Sequence, residues 1–228
     1  MNNIQSTAAS VLRLGRGWFV LSEAKQPAEP LELYDHEACP FCRKVREVLS
    51  ELDLEYIEHT CPKGDRTKRP LVRSKGREQF PFLVDPNTGK ELFESEDIIT
   101  YLLDTYGEGR SLSARLVSPL NTLSAAAASL VRPRGSRVRP GCEERKQPEF
   151  MPTLWNFEAS PYCRKVRETL CELNLNYHVK NVARRGIRRP ELVALGGKMM
   201  VPYFVDPNTD TAMYESDDIV AYLNRNYG

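Results

Sequence analysis

The chain has little of what marks a membrane, secreted or nucleic-acid-binding protein. No apolar run approaches the roughly 20 residues needed to cross a bilayer. Charge of one sign is not in excess: 32 Lys and Arg stand against 31 Asp and Glu, for a net charge of +1. That balance leaves no electrostatic footprint for wrapping nucleic acid or an anionic membrane. The 228 residues are 41% hydrophobic and 28% charged, which is ordinary globular composition with no need of a secreted disulfide framework. The first 22 residues contain no Asp or Glu but do contain Arg13 and Arg16. An organellar transit peptide therefore stays open, although a cytoplasmic location is the expectation.

What the chain does have is a repeat. CPFCRKVREVL (39–49) matches SPYCRKVRETL (160–170), FPFLVDPNT (80–88) matches VPYFVDPNT (201–209), and ESEDIITYLLDTYG (94–107) matches ESDDIVAYLNRNYG (215–228). Cys163 follows Cys42 by 121 residues, as Pro202 follows Pro81 and Ser216 follows Ser95. Upstream, AASVLRLGRG (8–17) is similar to AASLVRPRG (127–135), two residues out of register. The N-terminus therefore reads as a lead-in that recurs mid-chain, where no targeting signal acts. The expected layout is a lead-in at 1–30, one repeat at 31–107, a connecting stretch at 108–151 and a second repeat at 152–228. Within the connection, residues 121–131 read either as one helix or as flexible linker.

Each repeat alternates strand and helix. LELYD (31–35) and TLWNF (153–157) are β-prone, as are EYIEHT (55–60) and NYHVKN (176–181). After Pro40 and Pro161, Val45, Leu49 and Leu52, or Val166, Leu170 and Leu173, fall at helical spacing and give one apolar stripe. PFLVD, the turn 86–89 and KELFE read as a hairpin. Ser95 and Ser216 read as N-caps of the last helices. The expected class is α/β, with a mixed four-stranded sheet covered by helices in each repeat.

The chemistry-bearing motif is Cys39-Pro-Phe-Cys42. In a chain with no secretory leader, a Cys-x-x-Cys pair reads as redox-active or metal-binding. A cysteine at a helix N-cap with proline next places its sulfur over unpaired backbone N–H groups, which favours thiolate. Arg43, Lys44 and Arg46 are expected to add positive field. Cys39 is thus the candidate nucleophile and Cys42 the resolving thiol. Zinc bound with Cys61, His36 and His59 is a weaker alternative, since tetrahedral zinc wants four ligands. A purely structural disulfide would close too short a loop to gain much. The candidate site has no metal.

Two further motifs sharpen the reading. Phe80-Pro81 and Val201-Pro202 stand just before a strand, where a cis proline would turn the preceding backbone toward the thiol; a trans proline on an edge strand is the plainer alternative. Glu94-Ser95 and Glu215-Ser216 open the last helices, with Asp97 and Asp218 following. A helix N-terminus suits a carboxylate and an acidic neighbour suits an ammonium, so together they fit a γ-glutamyl group and favour glutathione over simple capping.

CPFC, Phe80-Pro81 and Glu94-Ser95 together resemble the glutaredoxin-like, thioredoxin-fold N-terminal domain of glutathione S-transferases. The whole chain is similar to tandem proteins of that kind. The likeness is strong over 31–107 and 152–228 and weak between them. It implies that Cys39 attacks a disulfide or glutathionylated substrate, that the Phe80 and Val201 backbones pair with glutathione's cysteinyl unit, and that Glu94-Ser95 and Glu215-Ser216 hold its γ-glutamyl end. The all-helical second domain of ordinary transferases is missing from the pattern, which puts conjugation in doubt. The implied activity is a glutathione-dependent thiol–disulfide oxidoreductase, with glutathione as co-substrate.

Ser160 replaces the nucleophile in SPYC. A hydroxyl does not exchange with disulfides, but it can hydrogen-bond a glutathione thiolate, as in serine-type transferases. Conjugation through Ser160 is therefore one alternative, with a plain N-cap beside it. A non-enzymatic glutathione and iron–sulfur carrier is another. Cys61 reads as a third redox thiol or a small buried residue, Cys163 and Cys171 as structural, and Cys142 has no assigned role. The basic residues after the second strands (Lys63, Arg66, Lys68 and Arg69; Arg184, Arg185, Arg188 and Arg189) read mostly as a solvated face, with one or two placed to meet glutathione's glycyl carboxylate.

Overall fold

A computed structural model of the chain describes residues 16–21, 24–108 and 134–228. The stretch 121–131 and the first 15 residues of the N-terminal segment lie outside the described residues. The first repeat runs β1 (Leu31–Asp35), α1 (Pro40–Glu51), β2 (Tyr56–Thr60), α2 (Lys68–Ser74), β3 (Phe82–Asp85), β4 (Lys90–Phe93) and α3 (Ser95–Thr105). The second follows in the same order: β5 (Thr153–Asn156), α4 (Pro161–Glu172), β6 (Tyr177–Asn181), α5 (Arg189–Gly196), β7 (Tyr203–Asp206), β8 (Thr211–Met213) and α6 (Ser216–Tyr227). Each is a thioredoxin-fold module, with β1 parallel to β2, or β5 to β6, and the last two strands antiparallel.

The two four-stranded sheets are joined into one of eight, in the order β4-β3-β1-β2-β6-β5-β7-β8. β2 and β6 pair antiparallel, with Ile57 opposite His178, its own equivalent in the repeat. A pseudo-two-fold axis therefore passes through that pair. By itself each repeat would leave its second strand as an open edge, and an unpaired edge is a template for association. The chain closes both edges against each other. A shared apolar core follows, in which Leu31, Leu33, Val45 and Leu49 join one cluster with Leu154, Val166, Leu170 and Val179, and each repeat keeps a smaller cluster of its own.

The apolar stripe of α1 behaves as its spacing requires: Val45, Leu49 and Leu52 are buried. The opposite face is buried too, although it carries Arg43, Lys44, Arg46, Glu47, Ser50 and Glu51. It is covered by segment 16–21 and by the loop before α4. Gly17 donates its N–H to Glu51 and accepts from the Ser50 hydroxyl at 3.0 Å, and Arg16 pairs with Glu51. The same pattern recurs around α4, where Gly135 donates to Glu172 and accepts from the Cys171 thiol at 3.2 Å. Cys171 thus does the work of Ser50. The described ends of the two lead-ins, 16–21 and 134–138, form structural straps, and each strap reaches across the axis. Val20 and Trp18 bond the Arg184 backbone in the second repeat, while Val138 and Ser136 bond the Lys63 backbone in the first, all at 2.8–3.0 Å.

The repeated DPNT sequence has a structural reason. Asp85 is fully buried; one carboxylate oxygen accepts from the Tyr101 and Tyr106 hydroxyls, both at 2.5 Å, and the other from the Asn87 backbone and amide at 2.8 and 2.9 Å. Asn87 in turn bonds the Glu29 backbone. Asp206 does the same with Tyr222, Tyr227 and Asn208. Each lock ties the β-hairpin to the final helix.

Candidate functional site

The first helix of each repeat begins as its sequence demands. Cys39 caps α1 in an extended conformation with Pro40 next, and its sulfur accepts from the Cys42 N–H at 3.4 Å. Ser160 caps α4 identically, its hydroxyl accepting from the Cys163 N–H at 3.3 Å. Strand register brings the other motifs alongside. Tyr34 faces Phe82, and Phe82 faces Phe93, so the loop to Cys39, Phe80-Pro81 and Glu94-Ser95 all sit at one end of β1, β3 and β4. Phe80-Pro81 and Val201-Pro202 are both cis. In the second repeat, Trp155 faces Tyr203 and Phe204 faces Met213, which gathers Ser160, Val201-Pro202 and Glu215-Ser216 in the same way. Because β2 and β6 are antiparallel, the two sites lie at opposite ends of the sheet.

The hydrogen bonding from Cys42 holds the Cys39 thiol below the ordinary cysteine range, against burial and the nearby Asp35 charge, which push it up. Burial, the bond with Cys39 and its charge hold Cys42 well above that range. This is the split a nucleophile and a resolving thiol require. The expected positive field of Arg43, Lys44 and Arg46 is corrected. Arg46 pairs with Asp35 at 2.5 Å, Glu37 at 3.2 Å and Glu158 at 3.1 Å. Arg43 pairs with Glu47 and Glu158, and Lys44 with Glu96. Carboxylates neutralise all three, so hydrogen bonds from the Cys42 thiol and then from the Cys42 and Phe41 backbone, rather than net charge, favour the thiolate.

The capping by Ser95 and Ser216 is also corrected, by one residue. Both serines are the first helical residues; the caps are Glu94 and Glu215, at φ 67° and 66°, without a side-chain cap bond. The Glu94 carbonyl accepts the first helical bond from Ile98, as Glu215 does from Ile219. A left-handed non-glycine residue costs about 1–3 kcal/mol, and both repeats carry one at the same place. The turn leaves the serines, buried, at the head of the helix beside exposed glutamates.

The basic residues after β2 and β6 divide evenly: Lys63, Arg66, Arg184 and Arg185 are exposed, while Lys68, Arg69, Arg188 and Arg189 are buried or half-buried. Lys68 is buried against Thr60, Asn174 and Asn176, and Arg188 reaches Asp53, Glu55 and Gln26 in the other repeat. Arg69 bonds the Cys61 and Pro62 carbonyls and lies over the Phe80 ring at 4.8 Å, which makes it a rim residue. Cys61 is inaccessible, and burial pushes its thiol well up, which favours the small buried residue over the redox thiol. Cys163 is likewise buried and raised; Cys142 lies in the shared core. Among the described residues, no three or more His, Cys, Asp or Glu are grouped to hold a metal ion, and no helix is long and apolar enough to cross a membrane.

The sequence reading weighed His36 only as a zinc ligand and not as a residue of the thiol site's rim. Its ring meets Phe80 edge-on at 6.4 Å, its buried Nδ1 has no partner, and burial holds it neutral, near a pKa of about 3. The signal was present in the repeat, since Phe157 stands in its place beside Ser160 and packs on Trp18 at 6.0 Å. The first site is thus rimmed by a polar ring where the second is aromatic.

The sequence profile of the family described as glutathione S-transferase, N-terminal domain, matches residues 33–110 and again 154–228. A glutathione S-transferase-like protein of Beauveria bassiana is 35% identical over 85 residues, which is 37% of this chain and 39% of the relative. A glutathione S-transferase-like protein of Aspergillus fumigatus is 32% identical over 35% of this chain and 36% of its own length. Glutathione S-transferase 1 of Schizosaccharomyces pombe is 36% identical over 33% and 34%. The chain therefore spans less than two-fifths of the length of each of these relatives. A solved trimeric glutathione transferase of Leishmania overlays on 87% of this chain and 68% of its own at 15% identity, with a TM-score of only 0.33.

Proposed function

The chain belongs to the glutathione S-transferase N-terminal-domain family, and from that premise we propose that it is a glutathione-dependent thiol–disulfide oxidoreductase acting through Cys39. The observation that carries this reading is the pairing at the head of α1: a Cys39 sulfur favoured as thiolate by the Cys42 thiol and by peptide N–H groups, beside a Cys42 held as thiol. The Cys39 thiolate attacks one sulfur of a disulfide or glutathionylated substrate, the S–S bond breaks, and the departing thiolate takes a proton. Cys42 then gives up its proton and attacks the Cys39 sulfur, releasing the second thiol and leaving a Cys39–Cys42 disulfide. Two molecules of glutathione reduce that bond and leave as glutathione disulfide. In this reading the Phe80 backbone ahead of Pro81 pairs with the cysteinyl unit of glutathione, and Glu94 with Ser95 receives its γ-glutamyl end.

The experiment is reduction of hydroxyethyl disulfide with glutathione by the full chain. Cys39→Ser should abolish turnover, and Cys42→Ser should slow reduction of protein disulfides more than of glutathionylated substrates. A Cys39→Ser protein with full activity would refute the assignment.

A second reading rests on the intact cradle of the other repeat. Ser160, Val201-Pro202 and Glu215-Ser216 repeat the first site's backbone geometry, which supports glutathione binding there with the Ser160 hydroxyl donating to the thiolate. Conjugation of an electrophile, lost in Ser160→Ala and kept in Cys39→Ser, is the corresponding test.

A further inference from the structure

Site one lies within the first repeat, yet the loop that delivers its nucleophile is held from the second. Glu37, two residues before Cys39, is buried and accepts both Nε and Nη2 of Arg167, each at 3.1 Å. Arg167 is itself buried on α4, where Asn156 and the Glu158 carboxylate fix it at 3.0 and 2.9 Å. Arg46 adds a bond to the Glu37 carbonyl, and Arg164 stands 3.9 Å from its carboxylate. The second strap completes the enclosure: a Cβ on Gly135 would lie 2.8 Å from the Glu37 Cβ. A planar guanidinium clamping a carboxylate through two parallel bonds sets orientation as well as charge.

We propose that Arg167 of the second repeat is a positioning residue for Cys39, so that the repeat lacking a nucleophilic cysteine supplies the part that holds the other repeat's nucleophile loop in its reactive geometry. The inference rests on the oxidoreductase reading for its functional consequence. Its physical basis is that Arg167 both neutralises Glu37 and pins it. Without the fork, a buried carboxylate stands two residues from the sulfur with only Arg46 and Arg164 to offset it. The Cys39 loop then loses its fixed relation to the helix end, and the thiolate loses part of its stabilisation. Arg46 stands in the mirrored relation to Glu158 ahead of Ser160, which gives the arginine shared at 46 and 167 a structural reason in the repeat without the dithiol.

The test uses the full-length protein. The Cys39 titration midpoint is read from iodoacetamide alkylation at graded pH, with the modified peptide identified by mass, alongside glutathione-dependent turnover and melting temperature. In Arg167→Gln the midpoint should rise by about one unit, and alkylation and turnover at pH 7 should fall roughly 5- to 10-fold. The neutral pair Glu37→Gln with Arg167→Gln should bring the midpoint back to within a few tenths of a unit. A folded Arg167→Gln protein with a wild-type midpoint and turnover overturns the proposal. If that variant does not fold, amide exchange of residues 36–39 in the wild-type chain decides instead. Protection equal to that of the β2–β6 ladder is expected, and exchange about 100-fold faster overturns the proposal. Failure of the oxidoreductase reading would show in the wild type, as an ordinary thiol without turnover, whereas failure of this inference shows only against an active wild type.

Discussion

Replacing Asp85 with asparagine changes one buried atom and tests the lock that ties hairpin to helix. The carboxylate receives four hydrogen bonds, two from tyrosine hydroxyls and two from Asn87. Each bond to a charged acceptor is worth about 1.5–3 kcal/mol, against about 0.5–1.5 for a neutral one. Losing the charge therefore costs about 1 kcal/mol per bond. The amide NH2 must also face either the two hydroxyls or the two donors of Asn87. The hydroxyls can rotate to accept, so part of the loss is recovered, and Asp85→Asn should destabilise by about 2–4 kcal/mol. Asp85→Ala removes every acceptor and strands the buried Tyr106 hydroxyl, for about 3–5 kcal/mol. Asp206 has the same bonds and shares no partner with Asp85, so Asp206→Asn should cost a similar amount and the double variant about the sum. Urea unfolding at pH 7 reads these values from the midpoint at constant slope. A loss below about 1 kcal/mol, or a marked inequality between the two repeats, would refute the reasoning.

Other outcomes follow from the same geometry. Arg167 and Arg46 overcome burial to hold Glu158 at about 2, below its ordinary 4.5. Its charged form is therefore the stabilising one: the contribution is full above pH 4.5 and is lost as pH falls toward about 2. Stability measured at pH 5.5 and pH 3 should differ less in Glu158→Gln than in wild type, and an unchanged difference argues against the ion cluster. Gly135 sits at φ 71° with the Glu37 Cβ in its way, and Gly17 at φ 74° with 3.1 Å to the Glu158 Cβ. Gly135→Ala should cost about 1–3 kcal/mol and Gly17→Ala less, read as melting temperature; a neutral Gly135→Ala would mean the strap does not press on the loop. Finally, Ellman's reagent should modify Cys39 well before the other five thiols, which are buried at 3% exposure or less. Labelling of Cys61 at a comparable rate would contradict its burial.

Much of the fold was legible because the signals were local and given twice. Spacing of Val45, Leu49 and Leu52, the Pro40 start and the 86–89 turn each depend on residues a few positions apart. The candidate site was legible for the same reason: the cap, the proline and the acidic helix head are each short-range devices. The serine caps were misplaced by one residue because nothing in Glu94-Ser95 announces a left-handed glutamate; that conformation is imposed by the join between β4 and α3.

The sequence by itself determined that there are two modules and that only one has a dithiol, and it pointed to the sulfur and the proline loop belonging together. Tertiary structure decided what the charged residues do. Arg43, Arg46, Arg164 and Arg167 look like the wet side of two amphipathic helices, yet all four are buried. Their carboxylate partners include residues more than a hundred positions away, brought near only by the pairing of β2 with β6. Charge pairing acts through space and leaves no period in a sequence, so no local pattern could distinguish a solvated arginine from one that clamps a loop of the other repeat.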